Sequence, residues 1–443
     1  MVNKKRKALS RRDFLRISSA GAAAVATGGL TLQSPKRRVR AQERIQLTYV
    51  WPFAAAPNIQ STIIDMFNEQ SDSVEVELQI LPQEGVVPAL TTAFSAGEGP
   101  DVVAMSPGWL TQFSAPGWLV NLEDFISGSG IEDTLLPVGM IQGRMYQGTA
   151  FMVPCVADTY PMFYNLEHFE EAGIAGPPET QEEFAEVAAQ LTDFANNRYG
   201  YYQLGGPAWS FQQWSTWMIG HGGIGVNNSM YEEDGTCILR REESIAGLEE
   251  WLAIYQEAQA SPQASATGTF NDAANAFNAG QVSIVMGFLG YIQNFNNGIG
   301  SDKFAVAMPP SGPEGQFVHY GINGYSINAA LDDSGREAAW ELVQFMLTPE
   351  INAMLNEDWG AVPTVVESLE AEYLENPVFD IPKAMLQMDD AHVHTPRELP
   401  EWGDFFVNYG PEQIQSAMLG QSSAADFADA ASTFLEEALQ ANS

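Results

Sequence analysis

The chain has 443 residues, 45% of them hydrophobic, which is enough to bury cores for two domains. Its charge is uneven: residues 1–41 hold 11 of the 20 Lys and Arg and a single acid, Asp13, leaving nine bases against 55 acids downstream. Nothing in that remainder could neutralise a run of phosphates, so nucleic acid is excluded as a partner, and anionic membrane surfaces are disfavoured for the same reason. The imbalance comes mainly from missing bases; it fits simple solubility or a surface suited to a salty or acidic exterior.

In chain order, Ser10-Arg11-Arg12-Asp13-Phe14-Leu15-Arg16 has the form of a twin-arginine export signal. The Ala- and Gly-rich segment 17–32 behind it is too short and too polar for a membrane span. Residues 1–41 therefore read as a signal peptide that hands the protein to the twin-arginine translocase, with Ala41 at the peptidase site. No cysteine lies near that point, so a periplasmic or extracellular protein without a lipid anchor is expected, free or weakly tethered. Cys155 and Cys237 are the only thiols. A disulfide is conceivable in an exported protein, but this route carries chains folded in a reducing cytoplasm, so two buried free thiols are the default.

Residues 45–51 alternate and are rich in β-branched and aromatic side chains, which predicts a strand ended by Pro52. A helix follows over 58–70 with Ile59, Ile63, Met66 and Phe67 on one stripe, then a strand over 74–81, a helix over 86–96 and a strand over 101–105. This βαβαβ order predicts a parallel sheet with helices on both faces and ligands beyond the carboxyl ends of the strands. Residues 149–153 read as a buried strand stopped by Pro154, and 155–161 as a polar, irregular link holding Asp158. A short strand over 162–165 leads into a helix. Thr180 with Glu183 three residues on has capping-box spacing. Helices are predicted over 180–196, 209–220, 243–258, 271–279 and 336–347, and strands over 199–204 and 282–286. Gly220-His221-Gly222-Gly223-Ile224-Gly225 has dinucleotide-loop spacing but follows a helix, so it reads as a helix stop. The segment from 364 is mainly helical, with 394–402 an irregular loop facing the cleft.

Pro154, Tyr164-Asn165, Phe169, Gly173 and Pro177-Pro178-x-Thr180 together resemble the extracellular solute-binding proteins of ABC importers, in particular the family-1 sugar-binding type related to maltose-binding protein. The phrases AFSAGEGPDVV…WLTQFSAPGWLVNLEDF (93–125) and AFNAGQVSIVMG (276–287) extend the likeness over nearly all of 45–440. The resemblance implies an α/β fold of two discontinuous, doubly wound lobes joined by a three-crossing hinge, of the type II periplasmic-binding kind. The crossings would fall near 154–161, 304–310 and 360–363, with a glycine-bearing strand over 319–327 following the second. That gives one lobe from 44–155 plus 306–360 and a second from 159–305 plus 363–443. It also implies a monomer, no cofactor, a small-molecule solute of carbohydrate type, and ABC-transporter permease subunits as partners.

A sugar needs carboxylates or amides for paired hydroxyls and flat aromatic faces for its C–H side. The expected ligand contacts are Trp51, Phe53, Ser106, Trp109, Asp158, Tyr160, Trp209, Phe288, Tyr291, Asn323, Gly324 and Arg397. Core packing competes for the tryptophans, and a structural ion pair is the expected fate of Arg397 among so many carboxylates. Trp402 fits a lid or plain packing equally. Catalytic readings are weaker: there is no G-x-S-x-G elbow or H-E-x-x-H helix, and His392-x-His394 lacks further ligands for a metal. Two carboxylates for glycoside hydrolysis can always be proposed among 55, so that signal carries no weight. A cationic or other small solute on the same fold, or a secreted carbohydrate-active enzyme, are the alternatives.

Overall fold

The computed structural model describes residues 44–442 except 54, 83, 84, 208, 209, 389 and 390. The export signal and Trp209 therefore lie outside the described residues. Among the described residues ten strands form two sheets. The first holds β1 (Ile45–Trp51), β2 (Val74–Ile80), β3 (Val102–Met105), β4 (Val153–Thr159), β9 (Tyr320–Ile327) and β10 (Val362–Pro363), in the order β10-β4-β9-β3-β1-β2. The second holds β5 (Met162–Asn165), β6 (Tyr199–Tyr201), β7 (Val282–Met286) and β8 (Phe304–Ala307), in the order β6-β7-β5-β8. Among the described residues no helix is long and apolar enough to cross a membrane.

The predicted βαβαβ unit forms, with β1 parallel to both β2 and β3. The sheet as a whole is mixed, because β9 returns from the other lobe antiparallel to β3 and β4, and β10 runs antiparallel to β4. Alternation along the strands separates two cores. Leu47, Tyr49, Trp51, Val102 and Ala104 face the helices Pro57–Gln70, Asp333–Met346 and Pro349–Trp359. Val50, Val103 and Met105 face Val86–Ser95 and Pro107–Ser114. β2 closes the edge, and its outward Glu75 and Glu77 discourage pairing with another chain. A large aromatic cluster around Trp214, Trp217 and Trp251 forms the second lobe's core. A further cluster runs through the seam: Ala157, Ile322 and Val362 pack with Phe163, Val285, Leu289 and Phe295.

The region 149–161 departs from expectation. Pro154 does not stop a strand; β4 begins at Val153 and runs, wholly buried, to Thr159. It tolerates the proline because the ladder with β9 shifts register between Pro154 and Val156. The Cys155 carbonyl freed by that bulge accepts from the side-chain amides of Asn352 and Asn356, at 2.8 and 2.9 Å, and the Thr364 hydroxyl donates to the Pro154 carbonyl at 2.9 Å. Asp158 thus sits on a strand, opposite Gly321, rather than in a loop.

Other local signals hold. Thr180 caps Gln181–Leu191 by accepting from the Glu183 amide, while the Glu183 carboxylate reaches the Glu179 amide instead of the cap's own. The glycine run at 220–225 ends the helix Ser210–Gly222, with Gly223 at φ 72° and its amide bonded to the Ile219 carbonyl. Cys155 and Cys237 are buried free thiols in different clusters. Trp402 is packing: it is buried among Phe211, Phe405 and Phe406.

Candidate functional site

β1, β3 and β4 are in one sheet and end on the same side, and the second lobe meets them there. Asp158 is the junction. One carboxylate oxygen accepts from the backbone amide of Gly290, in the turn Leu289–Tyr291 that follows β7 of the second sheet, at 3.2 Å. The other accepts from the Trp359 indole N–H of the first lobe, also at 3.2 Å. The side chain is 6% exposed, and burial pushes its carboxyl up to about 7 against the pull of these donors. A second tie joins the lobes alongside: the Gln293 amide donates to the Glu357 carbonyl at 3.0 Å.

Around this carboxylate the first lobe builds an aromatic wall. Trp51 stands edge-on to Phe53 and to Trp359, with ring centroids 5.2 and 5.6 Å apart, and Phe53 meets Trp359 edge-on at 5.3 Å. Trp109 stacks on Phe53 at 5.8 Å and 21° and remains partly exposed. It is held there because the Ser106 hydroxyl accepts from the Gly108 amide at 3.3 Å, capping the helix Pro107–Ser114 that carries it.

The expected contacts divide accordingly. Asp158, Phe53, Trp109 and the Tyr291 turn converge on the seam. Trp51 is 0% exposed with its indole N–H on the Ala55 carbonyl, so it backs the wall and offers no face to a solute. Ser106 is spent as a helix cap. Tyr160 is buried edge-on to Phe288 at 5.1 Å, and the Tyr291 hydroxyl donates to Asn271 at 2.8 Å. Asn323 is buried opposite Val156. Gly324 is a packing glycine: a Cβ there would overlap the Val153 carbonyl and the Met152 side chain. Gly324→Ala should therefore lower stability by about 1–3 kcal/mol through overpacking, read as a fall in urea midpoint; an unchanged midpoint would mean β4 and β9 can part at no cost. Arg397 makes no ion pair among the described residues; its guanidinium donates to Gln142 and to the Tyr320 carbonyl. His392 and His394 part company: His392 bonds the Met385 carbonyl and His394 the Asn227 carbonyl. Among the described residues no group of three or more His, Cys, Asp or Glu is placed to hold a metal.

Trp359 is the site residue that sequence reasoning missed. Its only signal is position: it ends the helix Pro349–Trp359, one residue before Gly360 turns left-handed into the third crossing. A concavity of about 600 Å³ lies on the second lobe, lined by Thr180, Gln181, His221, Glu250 and Ser311. None of the seam residues lines it.

The family model described as "Bacterial extracellular solute-binding protein" matches residues 62–379. The chain belongs to that family. Among relatives, the maltotriose-binding protein of Pyrococcus abyssi is 24% identical over 331 residues, covering 72% of this chain and 68% of its own. An ABC substrate-binding protein from Listeria monocytogenes, solved in complex with cycloalternan, superposes with a TM-score of 0.78 at 18% identity over 90% of this chain and 100% of that one. A maltose-bound MalE3 of T. maritima gives 0.77 at 19% over 89% and 99%. These likenesses confirm the two-lobe α/β architecture. As a member of this family the chain is a solute-binding protein, and the relatives and neighbours are binding proteins rather than enzymes.

Proposed function

We propose that this solute-binding protein is the exported receptor of an ABC importer, closing its lobes on a carbohydrate and presenting the closed form to the permease without transforming the cargo. The observation that carries the reading is the convergence of a buried carboxylate, a half-exposed tryptophan and a second-lobe turn on one seam. A carboxylate can accept from two hydroxyls, and Trp109 offers a flat face for a sugar's C–H side. Relatives whose names specify maltotriose, maltose and cycloalternan support the cargo class. Phe53, Trp109, Asp158 and Tyr291 are the proposed contacts, with Trp51, Ser106, Tyr160, Phe288, Asn323 and Gly324 supporting them. The proposed lobes divide at the strand ends: 44–159 with 320–363, and 162–307 with the chain from 364. This moves β8 to the second lobe and β10 to the first. Export by the twin-arginine route and a monomeric state belong to the same proposal, on the motif at 10–16 and on the family's extracellular placement.

Ligand contacts with both lobes stabilise the closed state only by their preference for it over the open one. Calorimetry against a panel of mono- and oligosaccharides, with small-angle scattering in parallel, should show micromolar or tighter binding of at least one sugar and a smaller radius of gyration. Binding of a peptide or cation with no sugar binding would overturn the cargo; turnover of any glycoside would overturn the receptor reading.

A further inference from the structure

Residues 392–402 cross the seam as a strap. His392 pairs beside Val318 and His394 beside Ser229, and the Thr111 hydroxyl donates to the Arg397 carbonyl at 2.5 Å. Thr111 lies on the same short helix as Trp109, so the strap is tied to the aromatic wall. Half-buried Arg397 then lays its guanidinium against the first lobe, where the strap crosses. Nη1 is 3.3 Å from the Gln142 amide oxygen and Nη2 is 3.4 Å from the Tyr320 carbonyl. Both acceptors are neutral, and both bonds are long for N–H···O.

The other cations after the signal are treated differently. Arg144, Arg198, Arg240, Arg241, Lys303 and Lys383 are ion-paired. Arg44 and Arg336 donate to backbone carbonyls at 2.6–2.8 Å. Among the described residues Arg397 alone has only long side-chain contacts, although the chain carries 55 acids after residue 41. Glu398 attracts it without forming an ion pair. Burial lowers Arg397 to about 10, and its charge adds to burial in holding neighbouring His319 down to about 3. A desolvated guanidinium with no carboxylate in hydrogen-bond reach costs several kcal/mol, and its planar fork matches a carboxylate bidentately.

We infer that the solute held at this seam carries a carboxylate, as an acidic sugar of the uronate class does, and that Arg397 receives it. One guanidinium balances one carboxylate, whereas a phosphate-ester dianion would be left half compensated. The acidic surface slows the arrival of such a ligand but does not cancel the contact, since exposed charges are screened beyond about 8 Å at physiological salt. The inference rests on the carbohydrate reading above.

The test is calorimetry with matched pairs, glucose against glucuronate, galactose against galacturonate and mannose against mannuronate, as monomers and β- or α-linked dimers. At least one acid should bind about 10- to 100-fold tighter than its neutral parent. That preference should vanish in Arg397→Gln, persist in Arg397→Lys, and weaken as salt is raised. Folding of each variant is checked by its urea midpoint. Neutral parents binding as well as the acids, or a preference that survives Arg397→Gln, would overturn this inference and leave the receptor reading standing. Binding of no saccharide of either kind would sink both.

Discussion

Asp158→Asn should weaken the contact between the lobes and flatten part of the protein's pH dependence. The amide keeps one acceptor oxygen and turns a donor toward either the Gly290 amide or the Trp359 indole. One buried N–H is then unpaired, at a cost of about 1–3 kcal/mol, or roughly tenfold in the open population. The charge works in the opposite direction. Burial raises the Asp158 carboxyl from its usual value of 3.8 to about 7. Between those values the folded form binds a proton that the unfolded chain does not, so stability contributed by this group is fully present below about pH 4 and is lost as pH rises through about 7. At about 1.4 kcal/mol per pH unit the loss is at most about 4 kcal/mol. The advantage of wild type over Asp158→Asn should therefore shrink by 2 kcal/mol or more between pH 4.5 and pH 8. Urea titrations of both proteins at several pH values measure it. Parallel profiles would mean that the carboxylate is in water, not at a desolvated seam.

How far this was legible in the sequence depends on the range of the interaction. Periodicity located β1, β2, β3, β5 and β7 and the helix Pro57–Gln70, because alternation and the apolar stripe are local. Pro154 misled because a proline normally costs a ladder bond; what rescues it is a bulge whose freed carbonyl is taken by Asn352 and Asn356, two hundred residues away. Asp158 was recognised by resemblance, but its partners were not, since Gly290 and Trp359 arrive through the second lobe and the third crossing. Arg397 was assigned an ion pair on composition, and composition does not tell which cations bond neutral acceptors instead, as Arg44, Arg336 and Arg397 do among the described residues. Trp51 and Trp109 looked alike in sequence. They differ because one is a strand residue facing inward and the other rides a capped helix at the strand end.

Trp359→Ala should be the most damaging single change at the site. The indole is 5% exposed, and it touches Trp51 and Phe53 edge-on. Removing so large a buried ring costs about 3–5 kcal/mol in transfer and cavity terms. The Asp158 oxygen loses its indole donor, and the space beside Gly290, whose missing Cβ would point at that indole, opens. Trp359→Phe separates these contributions. It keeps an aromatic ring against Trp51 and Phe53 but removes the N–H, so about 1–2 kcal/mol should be lost. In a double-mutant cycle with Asp158→Asn, the coupling should be about 1 kcal/mol, because each change removes the other's partner. Solute affinity should fall further in Trp359→Ala than in the Phe variant, since the turn Leu289–Tyr291 rests on this ring. Denaturant midpoints and calorimetry on the two variants settle the division. Additive losses in the cycle would mean that the indole and the carboxylate act separately, and the seam would then owe its closure to the apolar cluster of Ala157, Ile322 and Phe163 instead.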